Sequence, residues 1–184
     1  RATLVEARCG LDADDRPLPS SHSMDAVLFA MCGLLRRPDV DALAARGLPL
    51  LGTGAPADER IVQLTIPDRA ATAELVRRLR ELGHTRIGHV TMSLSASSAS
   101  GRITPADVAA AEYIDTRDRA LGFLDGGGSP DLLAAASDLQ AGSGAIAAAA
   151  LLDDESPPTA LVCQSDLLAL GVGLKGAGHD PVVV

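Results

Sequence analysis

One apolar run ends in a way suited to holding a ligand. Leu161-Val162-Cys163-Gln164-Ser165-Asp166 reads as a strand that closes on an amide, a hydroxyl and a carboxylate and then enters a helix. In an open parallel sheet, ligands bind beyond the carboxyl ends of the strands, where such turns lead into helices. Gln164, Ser165 and Asp166 are therefore candidate ligand contacts. The competing role for Ser165 or Asp166 is to cap the helix by accepting backbone N–H bonds. A second place is Thr116-Arg117-Asp118-Arg119-Ala120-Leu121-Gly122-Phe123, which opens a helix. Arginine in a first turn opposes the helix macrodipole, which favours anions there. Arg119 either offers its five-donor fork to vicinal hydroxyls or a carboxylate, or pairs with Asp115 or Asp118. The third is Ile66-Pro67-Asp68, a strand end before a helix, where Asp68 accepts ligand hydroxyls or caps the helix.

Catalytic arrangements do not emerge. His22, His84, His89 and His179 are scattered, and no serine has a GxSxG context. Gly52-Thr53-Gly54 and Gly176-Ala177-Gly178 do not complete a dinucleotide fingerprint, and there is no P-loop. His84 follows Gly83, a helix-stopping glycine, and reads as a C-terminal cap that bonds carbonyls. Cys9, Cys32 and Cys163 are odd in number, without a CxxC or Cys/His cluster, and read as reduced, buried small residues. No metal, no cofactor and no enzymatic turnover are expected.

Of the 184 residues, 47% are hydrophobic and 2% aromatic, so the core must be aliphatic. The formal net charge of -8, with Lys175 as the sole lysine, opposes contact with a phosphate backbone by this stretch itself. No run approaches the ~20 apolar residues of a membrane span, which suits a cytoplasmic protein. Short apolar runs alternate with longer amphipathic ones, the pattern of an α/β fold with parallel sheets. Strands are predicted at 2–7, 25–29, 48–51, 61–66, 87–91, 132–136 and 160–163 and in the terminal valines. Helices are predicted at 38–45, 68–82, 116–124, 144–152 and 166–174, with Leu75, Leu79 and Leu82 as the inner stripe of the second. Segments 9–23 and 93–105 read as irregular, the latter as mobile. Arg1 opens the chain without a methionine and Val184 closes it within a strand pattern, so the sequence reads as a piece of a longer protein.

Three segments in order resemble the effector-binding core of the lactose/galactose-repressor (LacI/GalR) family of bacterial transcription regulators. Leu82-Gly83-His84-Thr85-Arg86-Ile87-Gly88 is similar to that family's LGHxxIa junction, and Arg119-Ala120-Leu121-Gly122-Phe123 to its RxxGF helix. Pro158-Thr159-Ala160-Leu161-Val162-Cys163-Gln164-Ser165-Asp166-Leu167-Leu168-Ala169-Leu170-Gly171 resembles its PTAxxxxND-x-x-A-x-G segment. The likeness runs from about residue 25 onward.

The resemblance implies two Rossmann-like lobes of the type I periplasmic-binding-protein kind, truncated at both ends, with lobes at 1–84 and 85–184. It implies binding rather than catalysis. It further implies that a small metabolite of the sugar class bridges the lobes and alters operator binding by a helix-turn-helix head absent from this chain, in a homodimer joined through core helices. Arg119 matches the family arginine that binds effector hydroxyls. Ser165 stands where the family usually has asparagine and is followed by the matching Asp166, and Asp68 matches a position commonly asparagine. The segment 93–114 is longer than the family usually allows. The same fold also serves periplasmic solute-binding proteins of sugar importers, the alternative function.

Overall fold

The computed structural model describes residues 24–30, 37–53, 58–95, 97–175 and 181–184. The chain divides into two compact units, residues 1–65 and 66–184. The strand predicted at 2–7, the segment 9–23, and Cys9 and Cys32 lie outside the described residues.

In the first unit, β1 (Val27–Ala30), β2 (Leu50–Thr53) and β3 (Ile61–Gln63) form a parallel sheet in that order, and α1 (Arg37–Ala45) connects the first two. Val27 lies opposite Leu50, and Leu50 opposite Ile61. This row and Phe29 share a buried cluster with Val40 and Leu43 of α1. Leu28 and Val62, one residue out of phase, are exposed, as the two-residue period of a strand requires. Gly47, at φ 71°, ends α1 in the left-handed conformation that glycine adopts without penalty. Arg60 clamps β3 to its surroundings through Asp58 (2.6 Å) and Asp41 (2.7 Å). Those bonds raise the guanidinium above its ordinary value, but at an exposed site they contribute little stability.

The second unit is a five-stranded sheet in the order β5-β6-β4-β7-β8, made of β4 (Ile87–Thr91), β5 (Gly101–Arg102), β6 (Leu133–Ala135), β7 (Ala160–Cys163) and β8 (Val182–Val183). All pairings are parallel except β5 with β6. Its helices are α2 (Asp68–Glu81), α3 (Pro105–Ala109), α4 (Ile114–Asp125), α5 (Ala141–Leu152) and α6 (Asp166–Lys175). The central strand β4 is buried along its whole length, which explains its lack of apolar/polar alternation. Ile87 joins the cluster under α2 and α4, whereas a side chain on the next residue, Gly88, would meet Leu151 of α5. The two faces of the strand thus carry the two helix pairs.

Both pairs meet through glycine. A methyl group on Gly122 of α4 would overlap the carbonyl oxygen of Arg69 in α2, and one on Gly126 would lie 2.6 Å from the Ala73 carbonyl oxygen. Gly144 of α5 and Gly171 of α6 likewise sit against the main chain of Leu168 and Ala141. This seating corrects the expected inner stripe of α2. Ala73, Val76 and Leu79 are buried, while Leu75 and Leu82 are exposed, because α4 approaches too closely to leave room for two more leucines. It also places α2 with the second unit, although the sequence puts the change of lobe near His84.

Helix α2 ends in a Schellman pattern: Gly83, at φ 97°, donates to the Arg80 carbonyl and His84 N–H to that of Leu79. The backbone of His84 therefore does the capping, and its ring bonds the Thr159 hydroxyl at 2.9 Å instead of a helix carbonyl.

The segment 93–105 holds more structure than its composition suggests. It contains β5 and the start of α3, whose Thr104 and Asp107 form a reciprocal capping box. Serine hydroxyls substitute for apolar anchors. Ser93 Oγ donates to the Ser137 carbonyl (2.6 Å), and the Ser137 N–H donates to Ser100 Oγ (2.8 Å). Arg102 donates to the carbonyls of Ala150 and Asp131 (2.8 Å each) and to the Asp154 carboxylate (2.5 Å), tying the edge strand to the end of α5.

Candidate ligand site at the carboxyl edge of the second sheet

The glycine contact between α4 and α2 has a chemical result. With the helix axes that close, the first residue of α2 lies beside the second turn of α4, and Arg119 Nε donates to Asp68 Oδ1 at 2.8 Å. A second bond, from Arg119 Nη1 to the carbonyl oxygen of Gln164 (3.1 Å), joins the guanidinium to the turn after β7. The Arg119 and Asp68 side chains are 27% and 18% exposed, so both are screened from bulk water without being sealed from it. These bonds use two of the five N–H donors of a guanidinium and leave a fork able to meet hydroxyls or a carboxylate.

The sequence expectations for these residues resolve one by one. Helix α4 begins at Ile114, so Arg119 lies beyond the first turn and meets no unfavourable end of the dipole. Its ion-pair partner is Asp68 rather than Asp115 or Asp118; it is Arg117 that approaches Asp118, at 3.7 Å. Asp68 does not cap α2, whose N-cap is Pro67 without a side-chain bond. Ser165 Oγ accepts the Leu168 N–H at 3.3 Å, three residues on, the geometry of a helix cap. Asp166 is exposed in the first turn of α6. Asp68, Arg119 and Gln164 are thus joined by direct bonds, with Ser165 and Asp166 following in the chain.

The Gln164 side chain faces inward and is buried. Its Oε1 accepts the Met92 N–H (3.1 Å), and its Nε2 donates to the Thr116 carbonyl (3.0 Å) and lies 3.0 Å from His89 Nε2. His89 is completely buried in the middle of β4, stacked on Phe123 with ring centroids 4.7 Å apart, and its Nδ1 lies 2.9 Å from the Val162 carbonyl. Burial, with Arg119 nearby, pushes its pKa down to about 4 against the pull of the Val162 bond, so the ring is neutral at pH 7. The Thr116 hydroxyl is buried and has no hydrogen-bond partner among the described residues. Cys163, the free thiol at the end of β7, is pushed up to about 12 by burial and is a poor nucleophile.

Sequence reasoning missed His89 and Thr116 as members of this network. The available signal was the histidine in Ile87-Gly88-His89-Val90-Thr91, since a lone ionisable group in a two-face-buried strand must find internal partners.

Among the described residues, no group of His, Cys, Asp and Glu is arranged to hold a metal ion, and no helix is long and apolar enough to cross a membrane.

No family model matches the chain. It is 30% identical over 153 residues to the HTH-type transcriptional regulator IpsA of Corynebacterium glutamicum, covering 78% of this chain and 42% of that protein. It is 32% identical over 164 residues to an HTH-type transcriptional regulator of Mycolicibacterium smegmatis, covering 79% and 45%. The chain therefore spans less than half the length of these curated relatives. Among solved structures, a LacI-family transcriptional regulator from Corynebacterium glutamicum superposes with a TM-score of 0.73 at 26% identity, over 88% of this chain and 50% of that one. A LacI transcriptional regulator from a Rhodococcus species gives 0.68 at 22%, over 88% and 57%, a likeness of fold. The parallel sheets, the three ordered motifs and these likenesses agree: over most of its length the chain is similar to transcriptional regulators of the LacI family.

Proposed function

We propose that this chain is the sensing and dimerisation core of a bacterial transcriptional regulator that works in the cytoplasm by binding rather than by turnover. A small polyhydroxylated metabolite, of the sugar class, binds at the carboxyl edge of the second sheet. The observation that carries this reading is the Asp68–Arg119 pair: a carboxylate that accepts hydroxyl protons beside a guanidinium with donors to spare, both partly exposed. Ligand binding changes operator affinity through a helix-turn-helix head outside these residues, which requires different affinities for two states of the regulator, a coupling of about 1–3 kcal/mol.

Calorimetric titration of the full-length protein with a panel of aldohexoses and polyols tests the ligand reading. At least one panel member is expected to bind. Arg119→Ala is expected to weaken that binding about ten- to a hundredfold, the effect of losing hydrogen bonds from a charged donor. Unchanged affinity in the variant removes Arg119 from the site.

The homodimer has its own support. Leu167, Leu170 and Leu174 form an exposed row on α6, at 49%, 57% and 70%, while the neighbouring flank of that helix, at Leu168 and Gly171, is seated on α5. A second copy of the protein covers this row in our reading. Leu170→Lys in the full-length protein is expected to shift the sedimentation profile from dimer to monomer at micromolar concentration; a variant that sediments as wild type excludes the row from the interface.

A further inference from the structure

We infer that Gln164 and His89 form a positioning pair that fixes where Arg119 presents its guanidinium. This rests on the ligand role proposed above for Arg119. Gln164 is bonded to β4, to the chain leaving it and to α4. Its N–H donates to the Val90 carbonyl (3.1 Å), and its carbonyl accepts from Arg119 (3.1 Å). Its side-chain oxygen holds the chain leaving β4 at Met92, and its amide nitrogen holds the first turn of α4 at Thr116.

The orientation of that amide is decided by its neighbours. The Met92 N–H can only donate and the Thr116 carbonyl can only accept, so a flipped amide would set like against like at both. The remaining amide proton points to His89 Nε2, which must accept it. His89 can accept there because its own ring proton is committed to the Val162 carbonyl at Nδ1. The stack on Phe123 restrains the ring from the α4 side. Each assignment forces the next, from Val162 through His89 and the Gln164 amide to Thr116, one turn before Arg119. The Gln164 carbonyl that receives the guanidinium is thereby held on both flanks. An apolar residue at position 164 would keep that carbonyl but free it to move, and would leave the Met92 N–H and the Thr116 carbonyl unpaired in a buried place.

The test uses the full-length, ligand-free protein and nitrogen NMR. In the wild type, His89 is expected to show a protonated Nδ1 and an unprotonated Nε2 from about pH 6 to about pH 8. Gln164→Met is expected to speed exchange of the Arg119 Nε–H about tenfold, as for loss of order at one charge-assisted bond. The Arg102 Nε–H, bonded to the Ala150 carbonyl in the same unit, stays as in wild type. His89→Leu is expected to give a smaller rise at Arg119, since it removes one of the amide's supports. A ring protonated at Nε2 overturns the inference, as does unchanged Arg119 exchange in either folded variant. So does an equal rise at Arg102, which would mean general loosening. If Gln164→Met does not fold, the wild-type tautomer and His89→Leu decide. None of these readouts contains ligand, so a failed sugar titration with the expected exchange pattern removes the ligand reading alone, and the reverse result removes the positioning pair alone.

Discussion

Gly122→Ala is expected to cost the full-length protein about 3 kcal/mol or more, the upper range for adding a methyl group to a packed interior. The reason is the identity of the neighbour. A new methyl at position 122 meets main-chain atoms of Arg69, including its carbonyl oxygen, and main chain cannot move aside by changing rotamer as a side chain can. Helix α2 must back away from α4, opening the buried cluster of Val76, Leu79 and Phe123 and drawing Asp68 from Arg119. Urea unfolding should show a lower midpoint. Any ligand affinity measured at Arg119 should fall with it. The matched control is Gly173→Ala in α6, where a methyl would meet nothing within 4 Å; there the better helix propensity of alanine should add up to about 1 kcal/mol. Equal midpoints for Gly122→Ala and wild type would refute the close helix contact.

Mild acid is expected to weaken the fold through His89. In the unfolded chain the imidazole takes up a proton below its ordinary value of 6.5, while in the folded protein it resists until about 4. The unfolded state therefore binds more protons in that window. The stability contributed by the neutral buried ring is complete above about pH 6.5 and declines by up to about 3 kcal/mol as pH falls to about 4. Asp107, Asp125 and Asp154, held below the ordinary carboxylate range by hydrogen bonds from Thr104, Arg69 and Ser156 respectively, lose their contributions only below that window. Unfolding free energies measured across the interval should slope for wild type and flatten for His89→Leu. A slope that survives the substitution assigns the acid sensitivity to other groups.

Much of the architecture was legible from alternation alone. The run Leu132-Leu133-Ala134-Ala135-Ala136 would suit a helix by propensity, yet its place in the strand–helix rhythm predicts β6, and the strand is there with every residue buried. The inner face of α2 was not legible, because hydrophobic periodicity assumes that the largest apolar residues face the core. Here a glycine-lined partner selects Ala73 and Val76 over Leu75. The segment after β4 was misread for a related reason: serine and arginine hydrogen bonds carry the anchoring that an apolar count cannot register. Arg119, Asp68 and Gln164 were singled out as candidates by residue type and place, but not their mutual bonds. Those depend on how near two helices stand, a distance set by Gly122, which the motif contains but whose consequence only the packing shows.

The seam between α5 and α6 has a mechanical meaning. Where Gly144 and Gly171 bring main chain against main chain, there is no side chain whose rotamers could offer a second way of packing. Neither helix can slide past the other without first lifting off it. The pair is therefore expected to move as one body at this seam, since two packings of the same helices need side chains that can exchange rotamers.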